Sequence, residues 1–124
     1  MTALTDYSKN LLARALVGRQ PALPASVYVA LGTGGNAAAG LTGEAVGNGY
    51  ARQAVNFTGT GTQSSAAAVK FTFTAGPGTL SHVGLFDAIA GGNPLGFAPL
   101  GSPATLTAAG TITIPAASLT VLPD

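Results

Sequence analysis

The spacing of apolar residues changes once along this chain, and that change divides it. Between Leu4 and Val17 apolar positions recur at helical spacing: Leu4, Tyr7, Leu11 and Ala15, with Leu12 and Leu16 widening the stripe. Thr5-Asp6 supplies a side-chain oxygen able to cap the first free N–H groups, and Gly18 suits the position just past a helix end. Lys9 and Arg14 fall off the stripe. One N-terminal helix is therefore predicted within residues 1–19. Gln20-Pro21 and Leu23-Pro24 bar further helix and predict an extended linker over 20–25.

From Ser26 onward the period is two. Val27, Val29 and Leu31 share one face of a strand, and Val69, Phe71 and Phe73 alternate with Lys70, Thr72 and Thr74 in another. Gly47-Asn48-Gly49 is a turn signal leading into a strand over Tyr50–Phe57, and Gly59–Ser65 reads as a flexible turn. Thr79–Asp87 is apolar on both faces, which predicts a central strand. Leu95–Ala98, Ala104–Leu106, Thr111–Ile114 and Ser118–Leu122 complete the set, with a hairpin loop at Ile89–Pro94. The expected fold is mainly β: an antiparallel β-sandwich or open barrel of short strands with one N-terminal α-helix. A single β domain is expected over 1–124, its sandwich over 26–124 and a long loop over 32–49. Loops of that length are usually functional, disordered or partner-bound.

Composition narrows what such a domain does. Only 7% of residues are charged, against roughly 25% in ordinary soluble domains, so the surface is expected either to be covered largely by partners or to be Thr/Ser/Gly-rich and weakly hydrated. The net charge of +1 gives no general pull toward nucleic acid or anionic membrane. There is no cysteine, which excludes disulfides and thiolate zinc sites. The first residues, Met1–Asp6, have neither the basic nor the apolar region of a secretory signal, and synthesis in the cytoplasm is expected.

Reactive constellations are scarce. Gly32-Thr33-Gly34-Gly35-Asn36-Ala37 loosely imitates a dinucleotide fingerprint, but no helix pattern follows to face a pyrophosphate. His82 is the only histidine, and the acids Asp6, Glu44, Asp87 and Asp124 are scattered, so neither a metal site nor a Ser/His/Asp triad is expected. No catalytic residue, cofactor or metal is assigned. Three charges on or after the helix (Lys9, Arg14, Arg19) are too few for a nucleic-acid face. Arg52, one of only five basic residues in the protein, stands out in a nearly chargeless β region. It is read either as a contact between subunits, to Glu44, Asp87 or a chain terminus, or as a solvated strand residue of the domain's own sheet. The subunit-interface candidates are Tyr7, Leu11, Arg14, Glu44, Tyr50 and Arg52.

Four motifs occur in order: Asp6-Tyr7-Ser8-Lys9-Asn10-Leu11-Leu12, Val27-Tyr28-Val29-Ala30-Leu31, Gly47–Phe57 and Leu80-Ser81-His82-Val83-Gly84-Leu85-Phe86-Asp87. In this the chain resembles a family of small virion structural proteins of tailed bacteriophages, often labelled tail-fibre-like. The resemblance implies a non-enzymatic component on the virion exterior, of head or tail, without cofactors. On size, charge poverty and lack of shaft repeats, the first expectation is a capsid decoration (cement) protein that stabilises the shell by binding only the assembled state. The alternative is a tail-fibre or baseplate accessory protein involved in host attachment, and a second alternative is a glycan- or receptor-binding module. Expected partners are other copies of itself, as a trimer, and virion proteins such as the major capsid protein or tail proteins, with no nucleic acid or membrane.

Overall fold

In the computed structural model, which describes residues 3–121, the chain runs β1 (Ala3–Leu4), α1 (Asp6–Leu16), β2 (Val27–Gly32), β3 (Gly34–Asn36), β4 (Gly40–Thr42), β5 (Gln53–Val55), β6 (Phe57–Thr58), β7 (Gln63–Ser65), β8 (Val69–Phe73), β9 (Gly78–Phe86), β10 (Pro94–Leu106), β11 (Gly110–Ile114) and β12 (Thr120–Val121). The fold is mainly β, with one helix and several antiparallel sheets, and among the described residues no sheet closes into a barrel. The main sheet has the order β1-β10-β9-β2-β5. Its middle strand, β9, is the one predicted to be central from its two apolar faces.

Those two faces meet different layers. On one, Val29 and Leu31 of β2 stand opposite Leu85 and Val83 of β9. They pack against the antiparallel pair β8–β11, which contributes Val69, Phe71, Phe73, Ile112 and Ile114 to a single cluster. Phe71 and Phe73 are fully buried, and truncating either to Ala costs about 3–5 kcal/mol. On the other face, Ala30 and Phe86 join Leu41 of the β3–β4 hairpin. The hairpin lies close because residue 84 has no side chain: a Cβ there would sit 2.5 Å from the Cβ of Leu41.

The structure departs from the sequence pattern at several places, each with a physical reason. Residues 32–49 hold a hairpin, whose Gly- and Ala-rich strands give no alternation to read. The strand predicted over Tyr50–Phe57 is two strands in different sheets. β5 pairs with β2, while β6 pairs with β7 in the three-stranded sheet β12-β7-β6. Alternation runs unbroken through both, so it carries no sign of the change of sheet. Gln63–Ser65, read as turn, forms β7; Ser65 is buried, its N–H donating to Leu119 O at 2.9 Å and its Oγ accepting from Leu119 N at 3.3 Å. The two strands predicted at 95–98 and 104–106 are parts of β10, whose register against β9 shifts between Pro99 and Ala104, where Pro99 and Pro103 have no N–H to give a ladder. The last predicted strand is seen as β12; Leu122, like Asp124, lies outside the described residues.

Candidate functional site

The turn at Gly47-Asn48-Gly49 delivers the residues that the sequence marks most strongly. All three have positive φ (72°, 54° and 77°), which Gly and Asn tolerate best. The turn is tied down by Tyr50 N donating to Gly47 O at 2.9 Å and Thr74 N donating to Asn48 O at 2.8 Å. Tyr50, Ala51 and Arg52 precede β5, with Tyr50 and Arg52 turned inward and Ala51 outward; the phase changes after Arg52, since within β5 it is Gln53 and Val55 that face inward and Ala54 that is exposed. Tyr50 and Arg52 both reach Glu44.

Arg52 grips that carboxylate with both arms, Nε donating to Oε2 at 2.8 Å and Nη2 to Oε1 at 2.9 Å. Its Nη1 donates to Ala88 O at 2.9 Å and Gly91 O at 2.8 Å, in the β9–β10 loop. The guanidinium carbon lies 3.8 Å from the centre of the Phe86 ring, a cation–π contact. Tyr50 Oη donates to Glu44 Oε2 at 2.6 Å and accepts from Leu31 N at 3.2 Å, while its ring stacks on Phe71 and Phe73. The cluster thus straddles the edge of the main sheet and joins three segments: the residues after β4, the start of β5 and the β9–β10 loop. Four of the five guanidinium N–H groups are used within the chain.

Electrostatics follow from this packing. Burial pushes the Glu44 carboxyl up, but the hydrogen bonds from Arg52 and Tyr50 and the guanidinium charge outweigh it and hold it below the usual value. Burial, then the bond to the Glu44 carboxylate, pushes the Tyr50 phenol well above its ordinary value. The bond to Glu44 raises Arg52 further. At Asp87, burial is more than offset by bonds from Asn93, whose N donates at 2.7 Å and Nδ2 at 3.0 Å, so its carboxyl is lowered. This arrangement holds a permanent ion pair and a neutral phenol. It positions loops; it presents no group poised to exchange a proton near neutral pH.

A second feature lies around α1. The helix is held at its N-terminal end: Thr5 Oγ1 accepts from Ser8 N at 3.2 Å and donates to Pro94 O at 2.6 Å, Ser8 Oγ donates to Leu95 O at 2.6 Å, and Asp6 N donates to Ala37 O at 2.8 Å. Its other end closes with Gly18 at φ 78°, Arg19 N donating to Arg14 O and Gly18 N to Ala15 O, the reciprocal pattern of a glycine-terminated helix. Within α1 only Ser8 and Leu11 are buried. Leu12, Ala13, Ala15, Leu16 and Val17 are exposed, Leu16 to 87%. Beside the helix runs an apolar groove of about 340 Å³, with Leu4, Leu11, Leu12, Val27, Phe57 and Leu95 among its lining.

Residues 3–122 match the protein family described as Podophage GP4 fiber I protein gp80. The chain belongs to this family. A comparison with curated proteins found no match. The resemblance to small tailed-phage virion proteins is thereby shown, and the chain is a structural component of the virion on the family's description.

In this fibre-family chain the six interface candidates fall into two groups. Glu44, Tyr50 and Arg52 are brought together, but by bonds within one chain, and Leu11 is buried under the helix. Tyr7 is half-buried, and Arg14 is half-buried, its Nε without a hydrogen-bond partner among the described residues. Among the described residues the large apolar side chains that remain open are Leu12, Leu16, Val17 and Leu23 on and after the helix, and Val46 and Ile89 in the loops beside the Arg52 cluster. Helical spacing could have flagged the first two but not their exposure, because the stripe is wider than the strip of sheet beneath it. The imitation fingerprint at 32–37 continues into β3 of the hairpin and not into a helix. His82 Nδ1 lies 2.9 Å from Ser81 Oγ, which bonds Thr33 O at 3.0 Å. No carboxylate bonds it among the described residues, where no cluster of metal-binding side chains and no helix long and apolar enough to cross a membrane is found either.

Proposed function

We propose that this chain is a non-enzymatic fibre subunit on the exterior of a podophage tail, fastened to the particle through the α1 side of the domain and serving host attachment. The observation that carries the reading is the family match over residues 3–122, which favours the fibre alternative over decoration of the shell; nothing supports a cement role. The geometry supports the direction of attachment. The helix is bonded firmly to the sheet at its N-terminal end and leaves apolar side chains open at the other, a surface that a neighbouring protein covers at a gain of about 25 cal/mol per Å². Association with further copies in a closed ring belongs to the same proposal. A sugar-binding platform draws no support from the aromatic residues, since none of the three Tyr and five Phe is exposed.

Imaging of the intact particle at a resolution that traces this chain tests the reading. Density on the tail, with α1 toward the particle, is the expected result, and density confined to the head surface overturns it. A deletion phage is expected to keep normal heads and lose host adsorption.

A further inference from the structure

The groove beside α1 and the open end of α1 are parts of one surface. Leu12 belongs to both: it lines the groove and is 40% exposed, and Leu16, one turn further along the same side of the helix, is 87% exposed. Val17 follows at 73%, and Leu23, at 62%, adjoins Pro24 of the groove wall. An apolar projection and an apolar recess therefore lie side by side. None of the described residues lining the recess is charged, so an aliphatic side chain enters it without burying an ion. The sizes agree as well. A cavity of about 150 Å³ takes one benzene-sized group, so the groove, at about 340 Å³, has room for roughly two branched aliphatic side chains. Leu16 and Val17 are two such side chains, set together at the helix end.

We propose that two copies of this chain pair about a two-fold axis, each seating Leu16 and Val17 in the α1 groove of the other. A two-fold contact demands one patch that complements itself, and a projection and a recess that meet at Leu12 form such a patch. Area favours the reciprocal form. The open side chains and the groove wall amount to on the order of 500 Å² per copy, so mutual exchange removes on the order of 1,000 Å² from water, where specific interfaces begin, while a single insertion removes only about half of that. The inference rests on the fibre reading above and gives its self-association a surface. Pairing gathers the α1 sides of both copies at one place, the side on which that reading puts the particle.

The test begins in solution with the full chain, which has no cysteine of its own. Leu16→Cys and Gln63→Cys are made as separate variants with tags of different size and mixed under mild oxidation, Gln63 being part of the groove lining. A disulfide that joins the two tags forms only between copies, and it is the expected product. Sedimentation equilibrium of the wild type is expected to show a dimer. Leu16→Gln alters a side chain that is open in the single chain, so its far-UV circular dichroism is expected to match wild type. Its dimer dissociation constant is expected to rise at least about a hundredfold, because two insertions are lost per pair. A variant ending at Val121 is expected to pair like wild type. The proposal is overturned by the lack of a 16–63 disulfide, by a wild type that stays monomeric at millimolar concentration, or by Leu16→Gln pairing like wild type. Tighter pairing of the shortened chain assigns the groove to residues 122–124 and overturns it too. So does a photo-crosslink on purified particles from p-benzoylphenylalanine, replacing Leu16, to a different virion protein. Absence of the wild-type chain from those particles overturns the fibre reading and leaves the solution result standing, so the two failures are distinguishable.

Discussion

Replacing Glu44 by Ala tests whether the Arg52 cluster is a structural clamp. The carboxylate accepts three hydrogen bonds, two from Arg52 and one from Tyr50. Its loss leaves a guanidinium on a residue only 8% exposed, still held against Phe86 and two carbonyls. Breaking a buried pair in this way costs about 3–5 kcal/mol, but the Glu44 side chain keeps 27% exposure, so water softens the loss to about 2–3 kcal/mol. An unfolding entropy of about 2.1 cal/mol/K per residue, over 124 residues, converts this to a fall in melting temperature of roughly 8–12 °C. Calorimetry or circular dichroism on the isolated chain measures it. The double variant Glu44→Gln with Arg52→Met removes both charges and keeps the contact with Phe86, and it is expected to melt above Glu44→Ala. A fall below about 2 °C for Glu44→Ala, the behaviour of an exposed ion pair, refutes the clamp, as does a double variant that melts lower than the single one.

Three further outcomes follow from the same coordinates. Gly84→Ala sets a methyl against Leu41 and is expected to destabilise by about 1–3 kcal/mol, read from urea midpoints, with the β3–β4 hairpin losing hydrogen-exchange protection first. Thr5→Ala removes the helix cap and the bond to Pro94, so about 1–2 kcal/mol is expected, with exchange at the α1 amides rising before that of β9. Acid acts through Glu44 and Asp87, both held below their ordinary values of 4.5 and 3.8. Lowered folded values contribute stability that is present above those ordinary values and lost as pH falls through the folded ones. Urea midpoints are therefore expected to stay level above about pH 5 and to decline below it, less steeply in Glu44→Gln.

The chain's local content was legible without coordinates. Period-two spacing located β2, β8, β9 and β11, the apolar character of both β9 faces put it at the centre, and Thr5 and Gly18 bounded α1, because each depends on neighbours a few residues away. The family was legible too, through four ordered motifs. What tertiary structure decided was everything set by distance in sequence. Tyr50–Phe57 divides between two sheets at a point where the alternation does not change, since alternation reports which side is buried and not by which sheet. The hairpin within 32–49 follows from Gly84 offering room on a strand some forty residues away. Arg52 is the sharpest case. Charge poverty marked it as needing a partner and pointed outward, to another subunit; folding brings Glu44, Ala88 and Gly91 to it from two other segments of the same chain. Scarcity of charge shows that a buried arginine must be matched, but only the packed structure determines which oxygen does the matching.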